Sequence, residues 1–247
     1  ILDKLKHSAN VLNSLFSQDT MTITKNDFIE LAFTAKTNGK IFDTTNTNEA
    51  KEIGIEMEVK PLIISVGNDM VLKGFEEALP HKEIGKKYTV HLAPDKAFGK
   101  RNPQLLRTYS LASFQKNNVN PYPGLTLQLD QALAKVISVT GGRVMVDFNN
   151  PLAGKEVDYD FTIVRKIDDE KEKVNALQDY FFRQRFDFVI NNKKVTFKDP
   201  IVKIFLDILG DKFKSMTGLE FAVQEKEEKK EEKNTEENKE KETKDKK

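Results

Sequence analysis

The chain has 247 residues, with 40 basic and 39 acidic side chains, no cysteine and no tryptophan. The absence of cysteine excludes disulfide scaffolds, thiol catalysis and cysteine-ligated metal sites. The balanced charge argues against a nucleic-acid or anionic-membrane partner, because phosphate surfaces require a basic surplus. No apolar stretch approaches the ~18 residues of a membrane-spanning helix. We therefore expect no nucleic-acid partner and no membrane partner. Since cysteine is absent, we expect a cytoplasmic location.

The first 23 residues are predicted to be an N-terminal helical extension, because apolar residues recur at helical spacing between Leu2 and Phe16. Charges at Asp3 and Lys4 interrupt any apolar core, so the segment lacks the pattern of a signal peptide. The chain opens inside a longer precursor or, alternatively, Met21 is a natural start. The role of residues 1–20 stays open.

From Asn26 onwards, apolar alternation and turn signals predict strands around one short helix. The helix is expected through Val71–Leu79, after the capping pair Asn68-Asp69 and before Pro80. The expected strands are Phe28–Lys36, residues 40–45, Ile55–Lys60, Pro61–Val66, Lys87–Leu92 and Val157–Ile167. An antiparallel sheet wrapped on the helix is the economical α+β architecture.

Two further domains are predicted from the pattern of apolar residues and turn signals along the chain. Residues 104–146 have their own strands and a Gly141-Gly142 hairpin, so they form a small β-rich insertion if Val157–Ile167 returns to the first sheet. Residues 168–224 form a C-terminal α+β domain with helices at Lys171–Arg185 and Ile201–Phe213, a hairpin at Phe186–Phe197 and a last strand at Leu219–Val223. Residues 225–247 contain only Lys, Glu, Asp, Asn and Thr, which predicts a disordered tail.

Four segments in order resemble the FKBP family of peptidyl-prolyl isomerases. They are Gly39–Thr45, Pro61–Leu79, Ile84-Gly85 with Pro94–Gly99, and Val146–Gly154 with Tyr159–Phe161. The last segment is similar to SlyD-type members, which carry an insert-in-flap domain. The resemblance covers roughly residues 24–167 and implies an FKBP-like half-barrel made of residues 24–103 and 147–167, interrupted by an insert at 104–146. The C-terminal domain resembles the extension of long archaeal members.

The resemblance implies an apolar cleft between sheet and helix that binds proline-containing polypeptides. Matched position by position, its lining is Asp43, Phe33, Phe42, Leu62, Val71, Leu72, Phe75, Phe98 and Tyr159. Phe33 and Phe98 stand where the family usually has tyrosine, and Phe75 replaces a tryptophan. Loss of the Phe98 hydroxyl predicts a weaker grip on a bound carbonyl, by about 0.5–1.5 kcal/mol. Taken singly, these aromatic residues would be assigned to the core, and Asp43 to a turn or helix cap.

Such a cleft needs no nucleophile, general base, metal or cofactor, and we expect none. His7, His81 and His91 lack metal-ligand spacing. SlyD-type proteins often carry a His- and Cys-rich metal-binding tail, and this tail has neither residue, so that activity is not carried over.

The insert is predicted to bind unfolded clients, because its apolar residues exceed what so small a unit needs inside. The candidates are Leu105, Leu106, Tyr109, Phe114, Tyr122 and Leu125. The alternative is that these residues form the insert's own core. The whole chain is thus predicted to be a prolyl isomerase with chaperone activity. A holdase with a catalytically weak cleft, and a client-presenting scaffold that forms a homodimer through the C-terminal domain, are the alternatives.

Overall fold

The structure is a computed structural model that describes residues 22–224. The predicted N-terminal helix and the predicted disordered tail lie outside these residues. Within them, twelve strands and five α-helices divide into two compact units, which separate between Ala176 and Leu177. In the part of the chain so described, no helix is long and apolar enough to cross a bilayer.

The first unit contains an antiparallel sheet that curves around one short helix, so the α+β class is confirmed. The sheet is built from β1 (Phe28–Thr37), β2 (Lys40–Thr44), β3 (Leu62–Ser65), β4 (Lys87–Leu92) and β9 (Val157–Ile167). The order is β2-β1-β9-β4, and β3 pairs with the first half of β1. Alternating apolar residues direct one face of β1 and β9 towards the core, where side chains such as Leu31 and Ile163 are completely buried.

The polar stretch after β2 forms α1 (Thr47–Glu52), which Asn46 caps by accepting the N–H of Asn48 at 2.9 Å. The strand predicted at Ile55–Lys60 is wrong, because this segment has no regular structure. β1 already pairs with β2 and β3 along one edge and with β9 along the other. The alternating segment Ile55–Lys60 pairs with none of these strands, so alternation alone does not make a strand.

The helix that the sheet surrounds is α2 (Lys73–Glu76), which is shorter than predicted. After it, the backbone continues in tight turns, in which the N–H of Leu79 donates to the carbonyl of Glu76 at 3.1 Å. Gly74 allows close packing, since an added Cβ would lie 2.5 Å from the carbonyl oxygen of Lys96. That oxygen belongs to a short 3₁₀ turn, Pro94–Lys96.

Between β4 and β9 the chain forms a separate four-stranded sheet. Its strands are β5 (Leu106–Ser110), β6 (Thr126–Leu129), β7 (Ala132–Thr140) and β8 (Arg143–Asp147), in the order β5-β8-β7-β6, with α3 (Leu111–Lys116) packed on them. The chain enters and leaves this sheet at neighbouring points. The N–H of Asn102 donates to Oδ1 of Asn149 at 2.8 Å, and Nδ2 of Asn149 donates to the carbonyl of Asn102 at 3.1 Å.

The boundary of the first unit lies later than the predicted residue 168. The helix α4 (Glu170–Leu177) begins in that unit, where Nη1 of Arg165 donates to Oε2 of Glu172 at 3.0 Å. The ammonium of Lys173 also lies 5.8 Å from the centre of the Phe28 ring. These contacts keep the first turns of α4 with the sheet.

The second unit follows α4 with a π-helical turn, Gln178–Phe182, which ends at Arg183 in a left-handed conformation. Its sheet contains β10 (Phe188–Asn191), β11 (Lys194–Phe197) and β12 (Glu220–Val223), and α5 (Val202–Thr217) packs against β12. β10 and β11 are antiparallel, whereas β11 and β12 are parallel. Phenylalanine rings fill the core, among them Phe182 and Phe213 with centroids 5.7 Å apart.

Candidate active site

Aromatic side chains from β1, β9 and α2 meet on the inner face of the first sheet. Phe33 lies opposite Phe161 across the strands, and Ala35 lies opposite Tyr159. The ring of Phe75 stacks on Tyr159 with centroids 4.1 Å apart, and it meets Phe161 edge-on at 5.1 Å and Phe33 edge-on at 6.0 Å. The ring of Phe75 thus joins two cross-strand rows of the sheet, Phe33 with Phe161 and Ala35 with Tyr159, into one apolar surface.

Asp43 lies on the edge strand β2, at the end of the cross-strand row that contains Tyr159. It pairs with Ala35 on β1, whose other neighbour is Tyr159 on β9. Two strand spacings separate the backbones of Asp43 and Tyr159, which is about 10 Å. Ala35 between them contributes only a methyl group and is completely buried, so Asp43 and Tyr159 are the polar groups of this row.

A β-bulge brings Phe42 to the same region. Ala35 pairs with Asp43 and Lys36 pairs with Ile41, so Phe42 is the extra residue on β2. A bulge bends its strand and redirects a side chain. The ring of Phe42 packs edge-on against Phe98, with centroids 5.8 Å apart. The bulge therefore links β2 to the segment that follows β4.

Burial raises the pKa of the two polar groups in this row. Although Asp43 is exposed as a residue, partial removal of its carboxyl from water raises its pKa, and a hydrogen bond from the Thr44 backbone N–H offsets part of the effect. Burial also raises the pKa of the Tyr159 phenol, and the negative charge of Asp43 adds to the rise. Tyr159 is therefore a neutral hydroxyl at physiological pH.

The other predicted lining residues lie on β3 and in the loop that precedes α2. Leu62 on β3 pairs with Leu31 and is half-buried. Val71 and Leu72 are half-buried in the loop before α2, where the carbonyl of Leu72 accepts the N–H of Glu76 at 2.8 Å. The ring contacts join Phe33, Phe75 and Tyr159 directly, and the sheet register adds Asp43 to them.

Three site residues were missed in the sequence. Phe161 is 4% exposed and contacts Phe75, and Tyr88 on β4 lies opposite it with ring centroids 5.6 Å apart. Ala35 separates Asp43 from Tyr159. Alternation along β9 could have found Phe161, two residues after Tyr159. Ala35 and Tyr88 required the register between strands.

A groove of this unit is lined mainly by the opposite face of the sheet, and Phe33, Tyr88 and Phe161 also border it. Its volume is about 580 Å³ and its lining alternates with the aromatic residues along the strands, as at Thr34, Lys36 and Asp160. The ammonium of Lys36 contacts Asp160 at 2.7 Å, which lowers the pKa of that carboxyl. We place the candidate active site by its aromatic and acidic groups rather than by volume, because Asp43, Phe75 and Tyr159 are not among the residues that line this groove.

Three of the predicted client-contact residues belong instead to the insert's own core. Phe114 is 5% exposed and packs with the buried residues of β7 and β8, so its assignment to an exposed contact surface is corrected. Tyr109 and Leu125 are partly buried against the same core. A small sheet with one helix has few other side chains with which to exclude water from its interior.

The other three lie nearer the surface. Leu105 is half-buried, whereas Leu106 and Tyr122 are exposed. Sequence reasoning missed further exposed apolar residues on β7 and β8, which are Leu133, Ile137 and Met145. Their exposure follows from strand alternation, since the residues between them face the core.

Among residues 22–224, no group of three or more His, Asp or Glu side chains is placed to hold a metal ion.

Comparisons with known proteins agree with this geometry. The model of the FKBP-type peptidyl-prolyl cis-trans isomerase family matches residues 19–115, and the model described as FKBP26, IF domain, matches residues 110–152. The short-type peptidyl-prolyl cis-trans isomerase of Methanocaldococcus jannaschii is 34% identical over 56% of this chain and 89% of its own length.

Two bacterial relatives extend the comparison. The probable FKBP-type 16 kDa peptidyl-prolyl cis-trans isomerase of Pseudomonas fluorescens is 34% identical over 42% of this chain and 71% of its own length. The FKBP-type peptidyl-prolyl cis-trans isomerase SlyD of Helicobacter pylori is 28% identical over 52% of this chain and 68% of its own length. The chain belongs to the FKBP-type peptidyl-prolyl cis-trans isomerase family and is a SlyD-like member of it.

Proposed function

We propose that this chain catalyses rotation about X-Pro bonds in unfolded or partly folded polypeptides, in the cleft that Phe33, Phe75, Tyr159 and Asp43 line. The observation that carries the proposal is the row Asp43–Ala35–Tyr159 beside the stacked ring of Phe75. It combines an apolar surface suited to a proline ring with one negative charge and one neutral hydroxyl at opposite ends.

The reaction is limited by amide resonance rather than by a bond that must break. The rotation barrier is about 18–20 kcal/mol, and uncatalysed X-Pro exchange takes tens to hundreds of seconds. The twisted transition state has lost resonance and some of the charge separation of the planar amide. An apolar cleft therefore favours the twisted form over the planar form, and catalysis is differential binding.

The two polar groups give the cleft its electrostatics. The hydroxyl of Tyr159 is protonated at physiological pH, and its raised pKa keeps it so, which leaves it available to donate to a bound carbonyl oxygen. Asp43 is the charged residue of the row, and its partly desolvated carboxylate acts on the substrate amide more strongly than a fully hydrated one would. Together they act as fixed charges and dipoles, and no proton leaves either residue.

The chaperone part of the proposal assigns client binding to the exposed apolar residues of the insert. Tyr122 and Leu133 are 59% and 65% exposed, and Leu106, Ile137 and Met145 accompany them. Such side chains can hold unfolded segments weakly. A second weak site on the same chain raises the concentration of X-Pro bonds at the cleft.

A proline peptide tests the catalytic part alone. We expect the full chain, at substoichiometric concentration, to accelerate cis-trans exchange of a short X-Pro peptide measured by exchange NMR. The rate should rise in proportion to the chain concentration. An unchanged exchange rate would favour the holdase alternative, for which the absence of a hydroxyl at Phe98 is the supporting feature.

Dimerisation is a second candidate property, supported by the surface of α5. Ile201, Ile204 and Ile208 follow one another at helical spacing and are 47%, 59% and 78% exposed. A scaffold that presents clients would use such a face to bind a second copy. Light scattering on the full chain and on an Ile204→Glu, Ile208→Glu variant tests it, since a monomer in both cases excludes the scaffold.

A further inference from the structure

A buried carboxylate holds the loop in front of α2. Glu76 is only 7% exposed. Its Oε1 accepts the backbone N–H groups of Gly67 and Asn68, both at 3.0 Å, and its Oε2 accepts the N–H of Asp69 at 3.1 Å. Three successive amides of one loop therefore converge on a single side chain.

The loop has the backbone conformation that this arrangement requires. Gly67 and Asp69 have φ values of 79° and 59°, in the left-handed region. Successive N–H groups that point inwards in this way form a concave binding site for an anion. Burial of a carboxylate is costly unless such hydrogen bonds replace its water, so Glu76 and the loop depend on each other.

The segments on both sides of this contact, the loop and α2, carry residues of the proposed cleft. The loop leads into Val71 and Leu72, which are half-buried just before α2 and are proposed to line the cleft. Phe75, whose ring stacks on Tyr159, directly precedes Glu76. A second set of contacts ties the loop to the sheet, because Nδ2 of Asn68 donates to Oγ of Ser65 at 2.9 Å. The carboxylate thus connects the loop to the helix, whereas Asn68 connects it to β3.

We infer that Glu76 is a positioning residue for the isomerase cleft, which acts by holding the Gly67–Asp69 loop against α2 so that Val71 and Leu72 keep their places. The inference rests on the proposed isomerase function. Glu76 does not touch the substrate. Its loss would leave the chemistry of Asp43 and Tyr159 intact but would reduce the fraction of molecules whose cleft is formed.

The test compares Glu76→Gln with Glu77→Gln in the full chain. Glu77 is the next residue along, is exposed, and pairs with Lys96 at 2.7 Å, so the same substitution there removes only a surface ion pair. A cleft that is formed only part of the time raises the apparent KM by the inverse of that fraction and leaves kcat unchanged. Loss of one charge-assisted hydrogen bond shifts the loop equilibrium about tenfold. Because the wild-type loop is closed at least half of the time, we expect Glu76→Gln to raise the KM for a short X-Pro peptide about two- to fivefold.

Hydrogen exchange gives a readout that does not depend on activity. In Glu76→Gln the amides of Gly67, Asn68 and Asp69 should exchange about tenfold faster than in the wild-type chain, and those of β9 should not change. Glu76→Asp keeps the charge and replaces Glu76→Gln if the latter does not fold; its shorter side chain should give the same KM effect in weaker form.

The results of these measurements distinguish a failure of the proposed isomerase function from a failure of the positioning role of Glu76. A wild-type chain without isomerase activity contradicts the proposed function. An active wild-type chain whose Glu76→Gln variant keeps its KM contradicts the positioning role, as does a lower kcat at unchanged KM, which indicates general loss of folded protein. A raised KM, faster loop exchange and an unaffected Glu77→Gln variant support it.

Discussion

The ring of Phe75 stacks on the ring of Tyr159, with centroids 4.1 Å apart and planes inclined by 15°. One residue comes from a four-residue helix and the other from the central strand β9. The contact fixes the helix to the row of the sheet that also contains Asp43. Catalysis in the proposed cleft depends on this contact, because it places an apolar surface beside one charge and one hydroxyl.

Replacement of Asp43 by alanine should lower kcat/KM for an X-Pro peptide about tenfold, which corresponds to ~1.4 kcal/mol of transition-state stabilisation. The fold should survive, since Asp43 is exposed and the hydrogen bond that its side chain accepts comes from the N–H of the adjacent Thr44. Asp168→Ala, at another exposed aspartate, is the control. Unchanged turnover with folded Asp43→Ala would remove this residue from the mechanism.

The same carboxyl should destabilise the fold at neutral pH. Because burial raises the pKa of Asp43 in the folded chain, ionisation is harder there than in the unfolded chain. The cost is present above the folded pKa and disappears as the pH falls through it to the unfolded value, about 3.9. Asp43→Asn should therefore have a higher Tm than wild type at pH ~7, and the difference should close below about pH 4. An equal difference at both pH values would contradict this explanation.

Addition of a hydroxyl at Phe98 should strengthen peptide binding. Phe98 is half-buried beside Phe42, at the position where the family usually has tyrosine. One net hydrogen bond of about 0.5–1.5 kcal/mol predicts that Phe98→Tyr lowers the Kd for an X-Pro peptide about two- to tenfold. Calorimetry measures the Kd, and Phe188→Tyr in the second unit is the control. A Kd that stays the same or rises would show that the new hydroxyl finds no carbonyl.

Deletion of residues 104–146 should reduce the acceleration of protein refolding but spare catalysis on short peptides. The paired hydrogen bonds of Asn102 and Asn149 hold the two ends of the excised segment close together, so a short linker closes the gap. We expect kcat/KM for a short peptide to stay within about twofold, and acceleration of refolding to fall by roughly tenfold or more as the second site is lost.

A surface variant checks that the deletion acts through client contacts. Leu133→Ser with Met145→Ser changes two exposed residues of the insert, and Val164→Ser changes an exposed residue of the isomerase sheet as the control. The insert variant should reduce refolding activity only. An equal loss on peptides and on unfolded proteins, in the deletion or in this variant, would contradict the division of labour.

Local patterns predicted the elements whose structure is decided locally. The strand Val157–Ile167 is found with its predicted bounds, because its apolar residues alternate from Val157 to Ile163. The hairpin at β10 and β11 turns at Asn192 and Lys193, both with positive φ, as the Asn-Asn-Lys sequence indicates.

Features that depend on register or competition between strands were not predictable. The bulge at Phe42 is visible only when β2 is aligned with β1. Ala35 matters because it separates Asp43 from Tyr159, which no spacing along the chain reveals. The three amides on Glu76 require the left-handed loop at Gly67 and Asp69. Burial of Phe114 likewise depended on which face of the insert α3 covers.

The central claim is that this cleft speeds X-Pro rotation in protein clients, and proline-limited refolding of an unrelated protein tests it most directly. We predict that substoichiometric amounts of the full chain accelerate the slow refolding phase with turnover, and that Asp43→Ala does so much less. Absence of acceleration, with aggregation suppressed only near a one-to-one ratio, would contradict it and would instead indicate a holdase.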